Sequence, residues 1–414
     1  MRSPRDPASR RIFYGWYVVY AIGFVMTTTA GLAFYNMPVL LDAFVTERGF
    51  SVSLTSNATA TFFIAAGTAG LLAGQLVDRF DPRYTIIGGS VIASLALLSI
   101  GALTEPWQLF AFYIVFGFSY GLCGLVPTTT LISRWFERRR ALAMSIGSTG
   151  LSLGGVIFTP IAVLLIHHFG LSGAAPWIAL AFFLGTVPAT YFIVRASPRA
   201  MDLLPDGDAH DEGGGAKVAA AEMPLAQVWR SRFFIALAIA FLFALGAQVG
   251  GIAHIYRLAN VRVGVETAAT AVALLAISSL VGRLIAGWAL LHMSSRAMTV
   301  LLMGWQTFTL GLLAFAEGHS FILAASILFG LNSGSMLMMQ PLLLAEAFGV
   351  KNIGRIYSVS QVIGVIGYSL GPAVAGYLYE TSGGYTIPYL AIATSSLIGM
   401  AVFSFSGPTR PAAS

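Results

Sequence analysis

Hydrophobic residues along this chain fall into twelve long runs separated by short polar breaks. The runs lie roughly at 14–41, 51–77, 84–103, 107–133, 141–166, 175–195, 232–255, 267–291, 297–316, 320–345, 355–378 and 385–406. Each reaches the roughly 20 apolar residues a helix needs to cross about 30 Å of hydrocarbon. A helix satisfies its own backbone donors and acceptors in lipid, so runs of this length predict transmembrane helices. The longest polar stretch, 196–230, carries Asp206, Asp208, Asp211, Glu212 and Gly213–Gly215. It reads as a flexible linker between two sets of six. The expected architecture is an all-α membrane protein of twelve transmembrane helices. Its divisions are a first bundle at 1–195, a linker at 196–231 and a second bundle at 232–414.

Composition strengthens this picture. Only 10% of the 414 residues are charged, against about 25% in a soluble domain, and the mean hydropathy is +0.80. The basic start, residues 1–11, leads into a long apolar run, which reads as a first span and not as a cleavable signal. The single cysteine, Cys123, lies in an apolar run, and the six histidines show no metal-ligand spacing. No disulfide framework, metal site or other cofactor is expected.

The net charge of +6 could suggest an acidic partner, but its distribution explains it better. Nineteen of the 23 lysines and arginines fall in the N-terminus, the even-numbered loops with the linker, and the C-terminus. The odd-numbered loops hold Arg48, Arg257 and Arg262, and Arg283 lies inside span eight. Setting aside the five basic residues of 195–232 leaves fourteen against three. This asymmetry predicts cytoplasmic termini and a cytoplasmic linker in the inner (plasma) membrane. No basic surface interleaved with aromatics suggests nucleic acid. No glycine-rich run ends in the Gly-Lys-Ser/Thr that would cradle a nucleotide. The sequence also lacks an HExxH pair, paired intramembrane aspartates or a serine–histidine constellation, so a membrane enzyme is not expected. The linker is too short for the signalling domain a sensor would need.

The two halves repeat each other. Gly74-Gln-Leu-Val-Asp-Arg-Phe-Asp-Pro-Arg83 closes span two, and Gly287-Trp-Ala-Leu-Leu-His-Met-Ser-Ser-Arg296 closes span eight 213 residues later. Phe136, Gly155 and Pro160 recur at an offset of 212 as Phe348, Gly367 and Pro372. A parallel repeat makes the two bundles pseudo-symmetric. It places a binding site near the bilayer midplane between them, with alternating access by rocking one half on the other.

On these residues the chain resembles the major facilitator superfamily. The run from Gly74 to Arg83 looks like that superfamily's loop motif, except that Asp81-Pro82 stands where a glycine is usual. The resemblance implies a latch between the cytoplasmic ends of the halves, carried by Asp78 and Arg79 with Arg83 in support. Within the superfamily the chain is most similar to the monocarboxylate transporter and oxalate–formate antiporter branch. The residues behind this are Tyr14-Gly-Trp-Tyr-Val-Val19, Arg134-Trp-Phe-Glu-Arg-Arg-Arg-Ala-Leu-Ala-Met144, Gly282-Arg283-x-x-x-Gly287 and Gly371-Pro-x-x-Ala-Gly376.

Arg283 is the most informative residue. It lies about 6 Å from the middle of span eight at 1.5 Å per residue. An arginine there costs at least roughly 2.5–3.5 kcal/mol on insertion scales. All 17 acidic residues fall in loops, termini or span ends, so none obviously pairs with it. An external anion is then the inexpensive partner, because a guanidinium grips a carboxylate through two parallel hydrogen bonds. The competing reading is that Arg283 snorkels to the headgroups, against the tilt of helical side chains toward their own N-terminus.

The resemblance implies the same role, since in that branch an arginine at this place binds the substrate carboxylate. It also marks two departures. Ser279 stands where many animal monocarboxylate carriers have an aspartate implicated in proton coupling. Span eleven offers Gln361 and Tyr368 where the oxalate–formate antiporter has a lysine. One central cation suits a monoanion.

His254 is the candidate proton carrier, since histidine titrates in the physiological range, or else an interfacial residue bonded to a carbonyl. Tyr35, Asn36, Tyr120, Asn332, Gln340, Gln361 and Tyr368 could orient a substrate, or join helices by hydrogen bonds. Glycines 147, 150, 154 and 155 in span five, and 364, 367, 371 and 376 in span eleven, read as close-packing faces.

The expected protein is a secondary transporter of a small organic anion, probed best as a monocarboxylate, coupled to protons or anion exchange. It would work as a monomer in lipid. The alternative is an exporter or antiporter of another metabolite or drug from the same superfamily; a lone arginine disfavours cationic cargo.

Overall fold

The computed structural model describes residues 13–136, 139–207, 225–290, 292–348 and 353–407, with Asp78 and Arg79 placed as backbone alone. The described residues form fourteen α-helices. These are α1 (Tyr14–Thr29), α2 (Met37–Arg48), α3 (Val52–Arg79), α4 (Pro82–Ser99), α5 (Pro106–Cys123), α6 (Leu125–Trp135) and α7 (Arg140–Phe192), followed by α8 (Leu225–Arg230), α9 (Arg232–Arg262), α10 (Val265–Ala289), α11 (Ser295–Phe315), α12 (His319–Phe348), α13 (Ile353–Ser382) and α14 (Thr386–Ser404).

The twelve expected crossings follow from these helices. A five-residue π turn, Ala30–Phe34, joins α1 to α2 in one span, and Gly124 joins α5 to α6 in another. The 53 residues of α7 would reach about 80 Å if straight, far more than one crossing. Gly170, at φ 66°, breaks it into the fifth and sixth spans. The left-handed backbone there is one that glycine adopts without strain.

The helix starts follow from local chemistry. Ser51, Ser231 and Ser294 each accept a backbone N–H three residues on, capping α3, α9 and α11. Asp81 caps α4 ahead of Pro82, and Glu105 with Gln108 forms a capping box ahead of α5. The stretch read as a flexible linker is partly folded, with 3-10 turns at Pro198–Met201 and Pro205–Gly207 and the short helix α8.

Within the first six crossings α1 packs on α7, α3 on α5, and α4 on both α5 and α7. Within the last six, α9 packs on α13 and α14, α10 on α12, and α11 on α14. Glycines make the same joint in each set. Gly150 and Gly154 of α7 lie so close to Gly23, Thr27 and Gly31 that a Cβ would strike backbone, and Gly367 and Gly371 of α13 do the same against Leu242 and Gly246. Large apolar residues such as Trp177, Leu284, Trp288 and Tyr377 cover the exposed flanks, as lipid contact requires.

Twelve crossings put Phe13, Gly407 and the described linker residues 196–207 and 225–230 on one face, called the linker face; the opposite face is the far face. The two sets meet along three seams: α3 on α13, α7 on α10, and α2 on α9. Spans one and seven are longer than expected. They run to Arg48 and Arg262, so Asp42, Arg257 and Arg262, expected at a span end or in loops, lie within helices.

Candidate functional site

The first span is irregular at its middle. α1 gives way to the π turn, and Tyr35 and Asn36 precede α2, whose Pro38 suits a helix's first turn. Such irregular backbone inside a bundle concentrates at functional sites. The Tyr35 hydroxyl neighbours Arg283 and Ser279 of α10 and Ser152 of α7. Tyr120 lies near Tyr35, and its ring stands 5.3 Å from that of Phe62. Asn36 is fully buried, and neither of its amide atoms has a hydrogen-bond partner among the described residues.

Arg283 sits at the seam between the two sets. Its Nε donates to the Gly334 carbonyl of α12 at 3.1 Å, and its Nη1 donates to the Ser148 carbonyl of α7 at 3.4 Å. Among the described residues no carboxylate lies within ion-pair distance of it. Two backbone carbonyls engage two of its five N–H donors. Among the described residues no acid balances its charge, and the Tyr35 side chain is its nearby polar neighbour. With α10 observed as Val265–Ala289, the Cα of Arg283 is about 9 Å beyond the helix middle toward the linker face.

The other expected residues are dispersed. His254 is fully buried nearer the far face, where its ring contacts Ser56 Oγ at 3.3 Å, the Tyr385 hydroxyl at 3.3 Å and the Pro372 carbonyl at 3.1 Å. It lies about 15 Å from Arg283 along the membrane normal, so the two are not brought together in this conformation. Asn332 donates to Gln306 Oε1 at 2.8 Å, Gln340 to Ser360 Oγ at 2.7 Å and Gln361 to the Tyr357 hydroxyl at 2.8 Å. Tyr368 faces Phe63, ring centres 6.0 Å apart.

Of the expected latch, the side chains of Asp78 and Arg79 lie outside the described residues. Arg83 pairs with Asp81, Nε to Oδ2 at 2.7 Å, within its own turn. The aspartate that replaces the usual glycine therefore engages Arg83 locally.

One cluster escaped the sequence reading. Arg257 Nη1 donates to Asp42 Oδ1 at 2.7 Å, and Asn260 Nδ2 donates to Asp42 Oδ2 at 2.8 Å. With the Ser53 N–H on Glu380 Oε1 at 2.8 Å, these bonds join the two sets at the far face. The missed signal is the polar stripe His254, Arg257, Asn260, whose three-residue spacing puts all three on one helix face.

Twelve crossings in two packed sets of six, with broken backbone and a lone arginine at their seam, define a transporter architecture. The family model for the Major Facilitator Superfamily matches residues 20–304 and 259–414, and the chain belongs to that superfamily. It is a transport protein and not an enzyme. It is 28% identical over 349 residues to monocarboxylate transporter 13 of Bos taurus, covering 81% of this chain and 77% of the relative. It is 26% identical over 401 residues to monocarboxylate transporter 13 of Rattus norvegicus, covering 94% and 88%. Among solved structures, a bacterial homologue of the human lysosomal transporter Spinster, inward-facing and occupied, aligns with a TM-score of 0.72 at 13% identity over 97% of each chain. The nucleoside transporter NupG aligns with a TM-score of 0.72 at 14% identity, covering 94% of this chain and 100% of that one. These two likenesses concern the fold alone.

Proposed function

We propose that this protein carries a small organic monocarboxylate by alternating access, with Arg283 as the group that receives the carboxylate. The observation that carries this reading is a guanidinium at the seam whose protein partners, among the described residues, are the carbonyls of Gly334 and Ser148. Carbonyl dipoles orient a cation but do not neutralise it, and a carboxylate does both through two parallel bonds. Tyr35, Ser279 and Ser152 stand where they can orient the rest of a small acid. The named monocarboxylate transporters among the relatives support the same cargo class.

The bundles 1–195 and 232–414 are the rocking bodies in this proposal. The far face is the outside, both termini are cytoplasmic, and the membrane is the plasma (inner) membrane. Bonds across α2–α9 and α3–α13 close the outer end in this conformation. Asp78 and Arg79 latch the cytoplasmic ends when the protein faces outward. His254, held between Ser56 and Pro372, changes partners as the outer end opens and is the group assigned to proton coupling. The remaining candidates, Asn36, Tyr120, Asn332 and Gln361, act as hydrogen-bonding groups to cargo or between helices. The reading is tested by uptake of pyruvate, lactate, acetate and oxalate into proteoliposomes by the wild-type protein and its Arg283→Gln variant. Loss of monocarboxylate uptake with intact insertion is the expected result. Undiminished uptake by the variant overturns it.

A further inference from the structure

We propose that Arg257 and Asn260 form a second carboxylate site at the far end of α9, where an organic anion first docks from outside, and that Asp42 occupies this site while the outer end is closed. This rests on the transport reading above and adds a residue set to it.

Arg257 and Asn260 lie three residues apart on α9, and each binds a different oxygen of one carboxylate, at 2.7 and 2.8 Å. That is a carboxylate receptor built on one rigid helix, with both oxygens held by directed donors. The carboxylate it holds comes from α2, which belongs to the other set of six. The receptor and its occupant therefore lie on opposite sides of a seam that alternating access must open.

When α2 moves away from α9, Asp42 leaves and the receptor stays behind. Opening takes the counter-charge away from Arg257 and leaves its donors and those of Asn260 facing the opened seam, where an arriving carboxylate can take the place of Asp42. The Arg257 side chain remains aimed, because the Tyr379 ring of α13 supports it with the guanidinium carbon 5.9 Å from the ring centre. Its Nε, buried and without a protein hydrogen-bond partner, is a further donor for the incoming group.

A cavity of about 320 Å³ opens beside the cluster, lined in part by Thr46, His167, Tyr256 and Asn260. At about 30 Å³ per water it has room for a small hydrated acid. Asp42 and Glu47 also line it, and Glu47 accepts the Leu171 N–H at 2.8 Å. The nearby Arg262 is committed to the carbonyls of Leu313, Ala314 and Ala316 at the end of α11. Among the described far-face arginines, Arg48 and Arg262 bond carbonyls or a hydroxyl, and Arg257 is the one bonded to a carboxylate. It stands about 20 Å from Arg283 along the membrane normal, so the two sites are separate stations. Closure returns Asp42 to Arg257, which displaces the docked anion inward.

The test is directional. The full-length protein is reconstituted in one orientation, and half-saturation is measured separately for influx and efflux of radiolabelled pyruvate, lactate and acetate. Arg257→Gln and Asn260→Ala should raise the external half-saturation about tenfold or more, the worth of a lost charge-assisted hydrogen bond, and by more than any change in the internal value. Asp42→Asn, which removes the competing negative charge, should lower the external value. Equal changes on both sides, or an unchanged external value in Arg257→Gln, would overturn the outer site while leaving the transport reading standing. Should Arg257→Gln fail to insert, the uncharged change Asn260→Ala decides the matter by the same criterion. A wild-type protein that moves none of the three acids would instead count against the transport reading itself.

Discussion

Gly334 forms the floor beneath Arg283: a Cβ added there would lie 2.9 Å from the arginine's Cγ and would run into the Ser279 carbonyl. The bare backbone lets the arginine's stem lie flat against α12 and keeps the Gly334 carbonyl within reach of Nε. Gly334→Ala should therefore displace the guanidinium and cut transport sharply. Crowding of this kind costs about 1–3 kcal/mol, so thermal unfolding should fall modestly. A variant that retains full transport would show that the arginine's position is not set by this contact.

Arg283→Lys provides a finer test than complete removal of the charge. Lysine keeps the cation but loses the planar fork that holds two oxygens at once. Uptake should persist with half-saturation raised about tenfold or more, the loss of one charge-assisted bond. Wild-type half-saturation in this variant would argue that charge alone suffices.

Asn36 gives a test that separates function from packing. Its amide is buried with neither end bonded to protein, and an unsatisfied buried amide is destabilising by about 1–3 kcal/mol. Asn36→Leu should leave the melting temperature equal or higher while transport falls. If melting and transport both hold, Asn36 has no contact with cargo.

His254 joins the two sets through Ser56, and closes against the Pro372 carbonyl. His254→Ala should loosen the outer end and flatten the pH dependence of uptake. Because Cys123 is the only cysteine, a Cys123→Ser background with Thr46→Cys reports outer accessibility by maleimide labelling. Faster labelling in His254→Ala is expected. An unchanged rate and an unchanged pH profile together would remove the residue from both roles.

Much of the fold was legible because lipid demands long apolar runs, and those runs are hard to disguise. The reading failed where polar groups satisfy one another inside the membrane. The apolar runs of spans one and seven stop at 41 and 255, because Asp42, Arg257 and Asn260 look like loop residues until their mutual bonds are seen. The far-face arginines show the same thing. Arg48 bonds Ser172 Oγ, Arg257 bonds Asp42, and Arg262 bonds the end of α11. Each exception to the charge bias has an internal use.

The site was legible only in part. A lone intramembrane arginine stands out in sequence, and so Arg283 was found. Its proximity to Tyr35 depends on the π turn and on α10 crossing α7, which no local pattern encodes. Asn332, Gln340 and Gln361 were indistinguishable from cargo ligands by residue type, and only their bonds to Gln306, Ser360 and Tyr357 show them joining helices or bracing one.

The discontinuity at residues 30–36 has no counterpart in α9, which runs unbroken from Arg232 to Arg262. Two halves alike in plan thus differ in build: one carries an elbow beside Tyr35 and Arg283, the other a straight strut. In the proposed cycle an elbow that folds over a small guest while the strut holds still would make trapping the guest and tilting the bodies separable events. Cargo that fails to bend the elbow would then be released to the side from which it came.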